Sequence, residues 1–162
     1  MTPSPLIRLA RHTDLDAIWQ IESSVFGDPI YPAFFFRQAL ELWPELLLVI
    51  EQDERLLGYV LGGLGQDREL GWVLSLAVLP EARGQGLAQR LLEELEWQLR
   101  KQGMQRARLT VAPSNPANRL YQRLGYQLVA VEAEYFGPGE PRNVLEKALH
   151  FTLEQGQPAI RA

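Results

Sequence analysis

The chain contains no cysteine, two histidines, two methionines and no long apolar run. Each scarcity excludes some chemistry. Without cysteine there is no disulfide framework, no Cys-ligated zinc or iron–sulfur centre, no thiol nucleophile and no cysteine-borne acyl intermediate. His12 and His150 lie near opposite ends of the sequence, so no His-rich metal site is expected. A basic excess is missing too: 16 Lys+Arg stand against 20 Asp+Glu, a net charge of −4. Surfaces built for nucleic acid or anionic membrane show clustered Lys and Arg, so neither partner is expected. The greasiest stretches, Leu56–Gly65 and Leu70–Leu79, are of strand length and fall short of the ~18 residues of a spanning helix. Met1-Thr-Pro-Ser-Pro is polar and proline-broken, unlike a secretory signal, and a cytoplasmic protein is expected.

What is present is 162 residues of which 46% are hydrophobic. A chain this long buries about 70% of the surface that it exposes when unfolded, and needs no staple. No repeat or linker divides it. The expectation is one domain over residues 1–151 and a tail over 152–162.

The apolar periodicity alternates between two types. Leu6–Arg11 reads as a short strand. Thr13 then offers an N-cap with Asp16 in the capping-box position, ahead of a helix carrying Leu15, Ile18, Trp19, Ile21 and Val25. A loop follows from Gly27, and a second helix runs Ala33–Trp43. Phe34, Phe35, Phe36 and Trp43 are assigned to the core. Leu46–Glu51, Leu56–Leu64 and Leu70–Leu79 read as strands whose short connectors predict antiparallel neighbours. From Gly84 to Gly103 the period is helical, with Ala88, Leu91, Leu92, Leu95 and Leu99 in one stripe. Arg108–Val111 is a strand, Ser114–Leu124 a helix, Gln127–Ala133 a strand, and Val144–Phe151 a strand that closes the sheet. This order predicts an α/β (α+β) domain with a mixed sheet.

The segment richest in chemistry is the strand ending at Pro80, the loop Arg83-Gly84-Gln85-Gly86 and the helix that follows. Two glycines let backbone approach a ligand, and the unpaired N–H groups and dipole of a helix start favour an anion such as phosphate. A P-loop is excluded because no lysine follows. A dinucleotide fingerprint is excluded because Gln89 stands where the third glycine belongs.

Arg83-x-x-Gly86-x-Ala88 resembles the acetyl-coenzyme A signature of the GNAT superfamily of N-acetyltransferases. Ser114-Asn-Pro-Ala-Asn-Arg-Leu-Tyr-Gln-Arg-Leu-Gly-Tyr is similar to that family's second element, Asn-x-x-Ala-x-x-Leu-Tyr-x-x-x-Gly-Phe/Tyr. Tyr31–Phe36, Trp43-Pro-Glu-Leu, Gly58-Tyr-Val-Leu and Glu134-Tyr-Phe-Gly-Pro-Gly-Glu extend the likeness to the protein N-terminal acetyltransferases, including the bacterial ribosomal-protein alanine type. The resemblance implies a GNAT fold: a mixed, mostly antiparallel sheet of six to seven strands with about four helices, whose splayed central strands hold the cofactor. It implies an acetyl-coenzyme A-dependent N-acetyltransferase, a monomer or homodimer, with a protein N-terminus as the favoured amine acceptor.

Residue by residue, the resemblance implies that backbone groups of Leu76 and Val78 pair with the pantetheine arm, and Ala77 between them is counted among the cofactor-binding residues. The pyrophosphate would rest on the N–H groups of Arg83, Gly84, Gln85, Gly86, Leu87 and Ala88, and Asn115 or Asn118 would add a hydrogen bond. Asn115 is equally suited to cap its helix. Tyr121 would be the general acid that protonates the departing thiolate, and Tyr31 and Tyr135 would line the acceptor entrance. The bacterial relatives carry a Glu base on the strand before the second motif, where this chain has Thr110. Asp28, Glu22 and a water path to solvent are the alternatives for the base. Two other readings stay open: acetylation of a small amine such as a polyamine, antibiotic or amino acid, and a non-catalytic acyl-coenzyme A-binding module.

Overall fold

A computed structural model describes residues 3–27 and 31–150. Seven strands form one sheet in the order β1-β2-β3-β4-β5-β7-β6: β1 (Leu6–Leu9), β2 (Leu47–Gln52), β3 (Arg55–Leu64), β4 (Leu70–Val78), β5 (Arg106–Val111), β6 (Gln127–Glu132) and β7 (Arg142–Ala148). Every neighbouring pair is antiparallel except β4 and β5. The expected mixed sheet is therefore present, with β2, β3 and β4 as consecutive antiparallel neighbours. The final strand does not close it: β7 lies inside, and β6 takes the edge. The helices are α1 (Leu15–Phe26), α2 (Ala33–Leu42), α3 (Leu87–Lys101) and α4 (Ala117–Arg123).

Two apolar layers sandwich the sheet. In β2, Leu48 and Ile50 point into one layer and Leu47 and Val49 into the other, the alternation required of a strand buried on both faces. The first layer is closed by α3, whose Leu87, Leu91, Leu92, Leu95 and Leu99 are buried along one stripe. Each such leucine contributes about 1.5–3 kcal/mol. The second layer is closed by Ile18 and Ile21 of α1 and by Phe36, Ala39 and Leu40 of α2. Phe34 departs from its core assignment. At 70% exposure it lies on the outer face of α2, while Phe36, two positions on, is sealed, because successive helix positions are about 100° apart.

The start of α1 also differs from expectation. Thr13 does not cap it; a single 3-10 turn, His12–Asp14, leads in. Asp14 instead accepts the Arg11 N–H at 2.7 Å and both Nη groups of the buried Arg8, at 2.7 and 2.9 Å. The Arg8 guanidinium holds the Asp14 carboxyl below its usual range. A paired carboxylate anchoring a strand to a turn is a stronger device than a lone threonine cap. Among the described residues no helix is long and apolar enough to cross a membrane.

Candidate active site

The sheet opens between β4 and β5. Their parallel pairing covers Leu70–Trp72 against Arg106–Arg108 and then stops, although both strands continue. The cause lies two residues on. Leu61 faces Ser75 and Gly62 faces Val73, so Leu74 opposes nothing on β3. Such a bulge bends and twists its strand, here away from β5. The N–H of Leu79 bonds the Leu57 carbonyl at 2.8 Å. By strand alternation, the backbone groups of Ala77 and Ser75 also turn to β3, and those of Leu76 and Val78 turn into the gap. They offer a ladder to any extended ligand carrying amides.

Beyond Val78 a short turn, Pro80–Ala82, leads through Arg83–Gly86 into α3. Gly84 and Gly86 have φ of +83° and +73°, and a Cβ on either would meet nothing within 4 Å. Glycine is needed here for left-handed backbone rather than for internal room. No side chain caps the start of α3, so its first N–H groups are free for an anion. They border a cleft of about 210 Å³. Val78, Arg83, Gly84, Gly86, Leu87 and Ala88 line it, as does Arg123 from α4. Gln85 is exposed beside it. Arg123 is a member that sequence reasoning missed; its signal is a cation ending the helix of the second motif. Two guanidiniums and a helix N-terminus define a site for a polyanion.

Tyr121 lies on α4, packed against the α3-side layer with its ring edge-on to Tyr126 at 6.0 Å. Burial alone pushes its phenol up to about 12. The two asparagines serve the protein. Asn115 accepts the Ala117 N–H at 2.9 Å. Asn118 donates to the carbonyls of Ala112 and Asn115, at 2.9 and 2.8 Å, and accepts from Asn143 at 3.1 Å. Asn118 thus fastens α4 to the end of β5 and to β7.

On the other face, Glu22, Tyr31, Tyr59 and Ser75 converge. The Glu22 carboxylate is fully buried and accepts from the Tyr31 N–H at 3.3 Å, from the Tyr59 hydroxyl and from the Ser75 hydroxyl at 3.5 Å. Tyr31 in turn donates its hydroxyl to the Leu74 carbonyl at 3.2 Å. Burial, then Glu22 and the nearby Tyr135, push the Tyr31 phenol up. Tyr31 and Tyr135 are thereby brought together. Thr110 lies on this same face of β5, opposite the buried Leu109. Asp28 lies outside the described residues. Sequence reasoning did not connect Tyr59 and Ser75 with Glu22, although a signal is present. Glu22 falls on the helical stripe of Ile18, Ile21 and Val25, and Tyr59 and Ser75 are polar interruptions in apolar strands.

The chain matches the acetyltransferase (GNAT) family over residues 14–126. It is 32% identical over 146 residues to an N-alpha-acetyltransferase of Sulfurisphaera tokodaii, with 83% of this chain and 87% of that protein covered. Over 131 residues it is 30% identical to the ribosomal protein bS18-alanine N-acetyltransferase of Salmonella typhimurium, covering 80% and 86%. The crystal structure of Ard1 from Thermoplasma volcanium superposes with a TM-score of 0.83 at 20% identity, covering 92% of this chain and all of that one.

Proposed function

The chain belongs to the acetyltransferase (GNAT) family and is an acetyl-coenzyme A-dependent N-acetyltransferase, and from that premise we propose that its acceptor is the α-amine of a protein or peptide. The observation that carries this reading is the opening between β4 and β5, which ends at the uncapped start of α3. It supports a cosubstrate lying in the gap: amides against Leu76 and Val78, diphosphate on the N–H groups after Arg83, with Arg83 and Arg123 supplying charge. The α-amine acceptor is supported by the relatives that act on such amines. We assign the reaction to the cytoplasm, where new protein N-termini are made.

Transfer is direct, since the chain has no thiol to carry the acetyl group. The neutral amine attacks the thioester carbonyl, the C–N bond forms, and the C–S bond breaks. Tyr121 gives its proton to the departing thiolate. The proton that the amine sheds passes to water. Glu22 is sealed from that path by its own hydrogen bonds, which leaves Asp28 as the carboxylate we propose for the base.

Isothermal titration with acetyl-coenzyme A tests the cofactor half, and absence of binding at millimolar concentration overturns it. Turnover of a peptide library measured beside a panel of polyamines, amino acids and aminoglycosides tests the acceptor. Acetylation confined to the small amines rejects the peptide reading.

A further inference from the structure

Glu22 is an acidic side chain in an expensive place. It is fully buried, and each of its three partners, the Tyr31 N–H and the hydroxyls of Tyr59 and Ser75, is neutral. A buried carboxylate without a cation is costly to maintain, and a leucine on this helical stripe would avoid the cost. Its partners come from three elements that meet where the sheet opens. Tyr59 belongs to β3, Ser75 follows the bulge in β4, and Tyr31 lies two residues ahead of α2. Tyr31 is held at both ends. Glu22 takes its backbone N–H, the carbonyl of the bulge residue Leu74 takes its hydroxyl, and its ring stacks on Phe35 at 4.7 Å.

We propose that Glu22 is a positioning residue for the acceptor: it locks Tyr31 onto the β4 bulge and so builds the acceptor-side wall of the opening. The proposal rests on the acetyltransferase reading and deepens it. Because its carboxylate is sealed, Glu22 acts through Tyr31 and does not touch substrate.

Glutamine and alanine separate this role from that of a base. In Glu22→Gln the amide oxygen still accepts the Tyr31 N–H, and the amide nitrogen donates to the Tyr59 oxygen. The Tyr59 hydroxyl proton then turns to the Ser75 Oγ, 2.8 Å away. The Tyr31 anchor is kept, and the Ser75 hydroxyl proton, whose bond to Glu22 is the longest of the three at 3.5 Å, alone gives up its acceptor. In Glu22→Ala the anchor is gone.

The test combines steady-state kinetics on a peptide acceptor with amide hydrogen exchange at Tyr31. Glu22→Gln is expected to keep kcat within about threefold and to retain Tyr31 protection. Glu22→Ala is expected to raise the KM for peptide about tenfold or more, to leave the KM for acetyl-coenzyme A within about twofold, and to speed Tyr31 exchange about tenfold. A loss of about a hundredfold in kcat for Glu22→Gln at unchanged KM makes Glu22 a base and overturns the proposal. Unchanged peptide KM or unchanged Tyr31 exchange in Glu22→Ala also overturns it. Should Glu22→Ala not fold, Tyr31→Phe, which removes the bond to the Leu74 carbonyl alone, must raise the peptide KM; an unaltered KM rejects the wall. If the parent protein acetylates no amine the acetyltransferase reading fails, while Tyr31 exchange still decides whether Glu22 holds Tyr31.

Discussion

A phenol is a useful acid toward a thiolate when it keeps its proton until the C–S bond breaks. Burial does this for Tyr121, pushing its phenol up to about 12. Among the described residues its hydroxyl has no hydrogen-bond partner, and burial is the sole cause of the shift, so Tyr121→Phe strands no described polar group. The expected result is a kcat lowered by about 10²–10³, with affinity for coenzyme A and melting temperature nearly unchanged; a variant of parental turnover removes Tyr121 from the mechanism. The same shift shapes the pH–rate profile. The rising limb belongs to the acceptor α-amine, near about 8, and no falling limb is expected from Tyr121 below about pH 11. Glu94 on α3 obeys the opposite logic. It is buried, one carboxylate oxygen is unpaired, and burial first, then Glu93, pushes its carboxyl up against the pull of Arg90. A raised carboxyl favours the protonated folded state, so stability falls as pH rises from the ordinary carboxylate range through the raised value. Glu94→Gln removes that loss. Its melting temperature is expected to exceed the parent's by about 2–4 °C at pH 7 and to match it at pH 4, as scanning calorimetry can determine.

Among the elements, the start of α3 carries the sharpest expectation. Gly86 has φ +73° and open space where an alanine methyl would stand, so Gly86→Ala costs about 1–2 kcal/mol of left-handed strain without a clash inside the protein. The methyl would stand in open space on a residue that lines the cleft. Titration calorimetry is expected to show coenzyme A binding weakened about tenfold or more, out of proportion to the stability lost, whereas equal affinity would move the phosphate site elsewhere. This loop was legible in the sequence because backbone binding needs particular residue types in a row: glycines, then a helix. α3 and the three antiparallel strands were legible through periodicity and short connectors. The bulge at Leu74 was not, since its own strand carries no glycine or proline beside it and the glycines that mark it, Gly62 and Gly63, lie across on β3. The place of β7 inside β6 was hidden for the same reason: strand order is a long-range property, and both strands carry similar apolar alternation. On the face that carries Glu22, likeness named Tyr31 and Tyr135 but not the contacts that hold Tyr31. The Glu22 network was obscured because its members are 53 positions apart at the widest, Glu22 to Ser75.

The whole molecule is exposed to alkali through its tyrosines, because two stand in each apolar layer. Tyr121 and Tyr126 belong to the α3 side, Tyr31 and Tyr59 to the α1 and α2 side. Burial is the first cause raising all four phenols, and the carboxylates Glu96 and Glu22 add to it at Tyr126 and at Tyr31 and Tyr59. The sign follows directly. A phenol raised in the folded state releases its proton more readily when unfolded. Stability is therefore complete below the ordinary tyrosine value of about 10 and falls as pH climbs from there toward the folded values. Each such tyrosine adds about 1.4 kcal/mol per pH unit across its window, and four acting together exceed the few kcal/mol by which domains are stable. Competing titrations are few, since 16 Lys+Arg include the lysines Lys101 and Lys147 alone, and arginine stays charged throughout. Unfolding is expected to be cooperative between about pH 10.5 and 12, with tyrosinate absorbance rising in step with loss of helical circular dichroism. Tyr59→Phe and Tyr126→Phe, one from each layer, should each make the pH dependence above about pH 10 shallower. Tyrosinate absorbance that appears well before the circular dichroism changes would show that the layers admit solvent while folded, and would contradict this account.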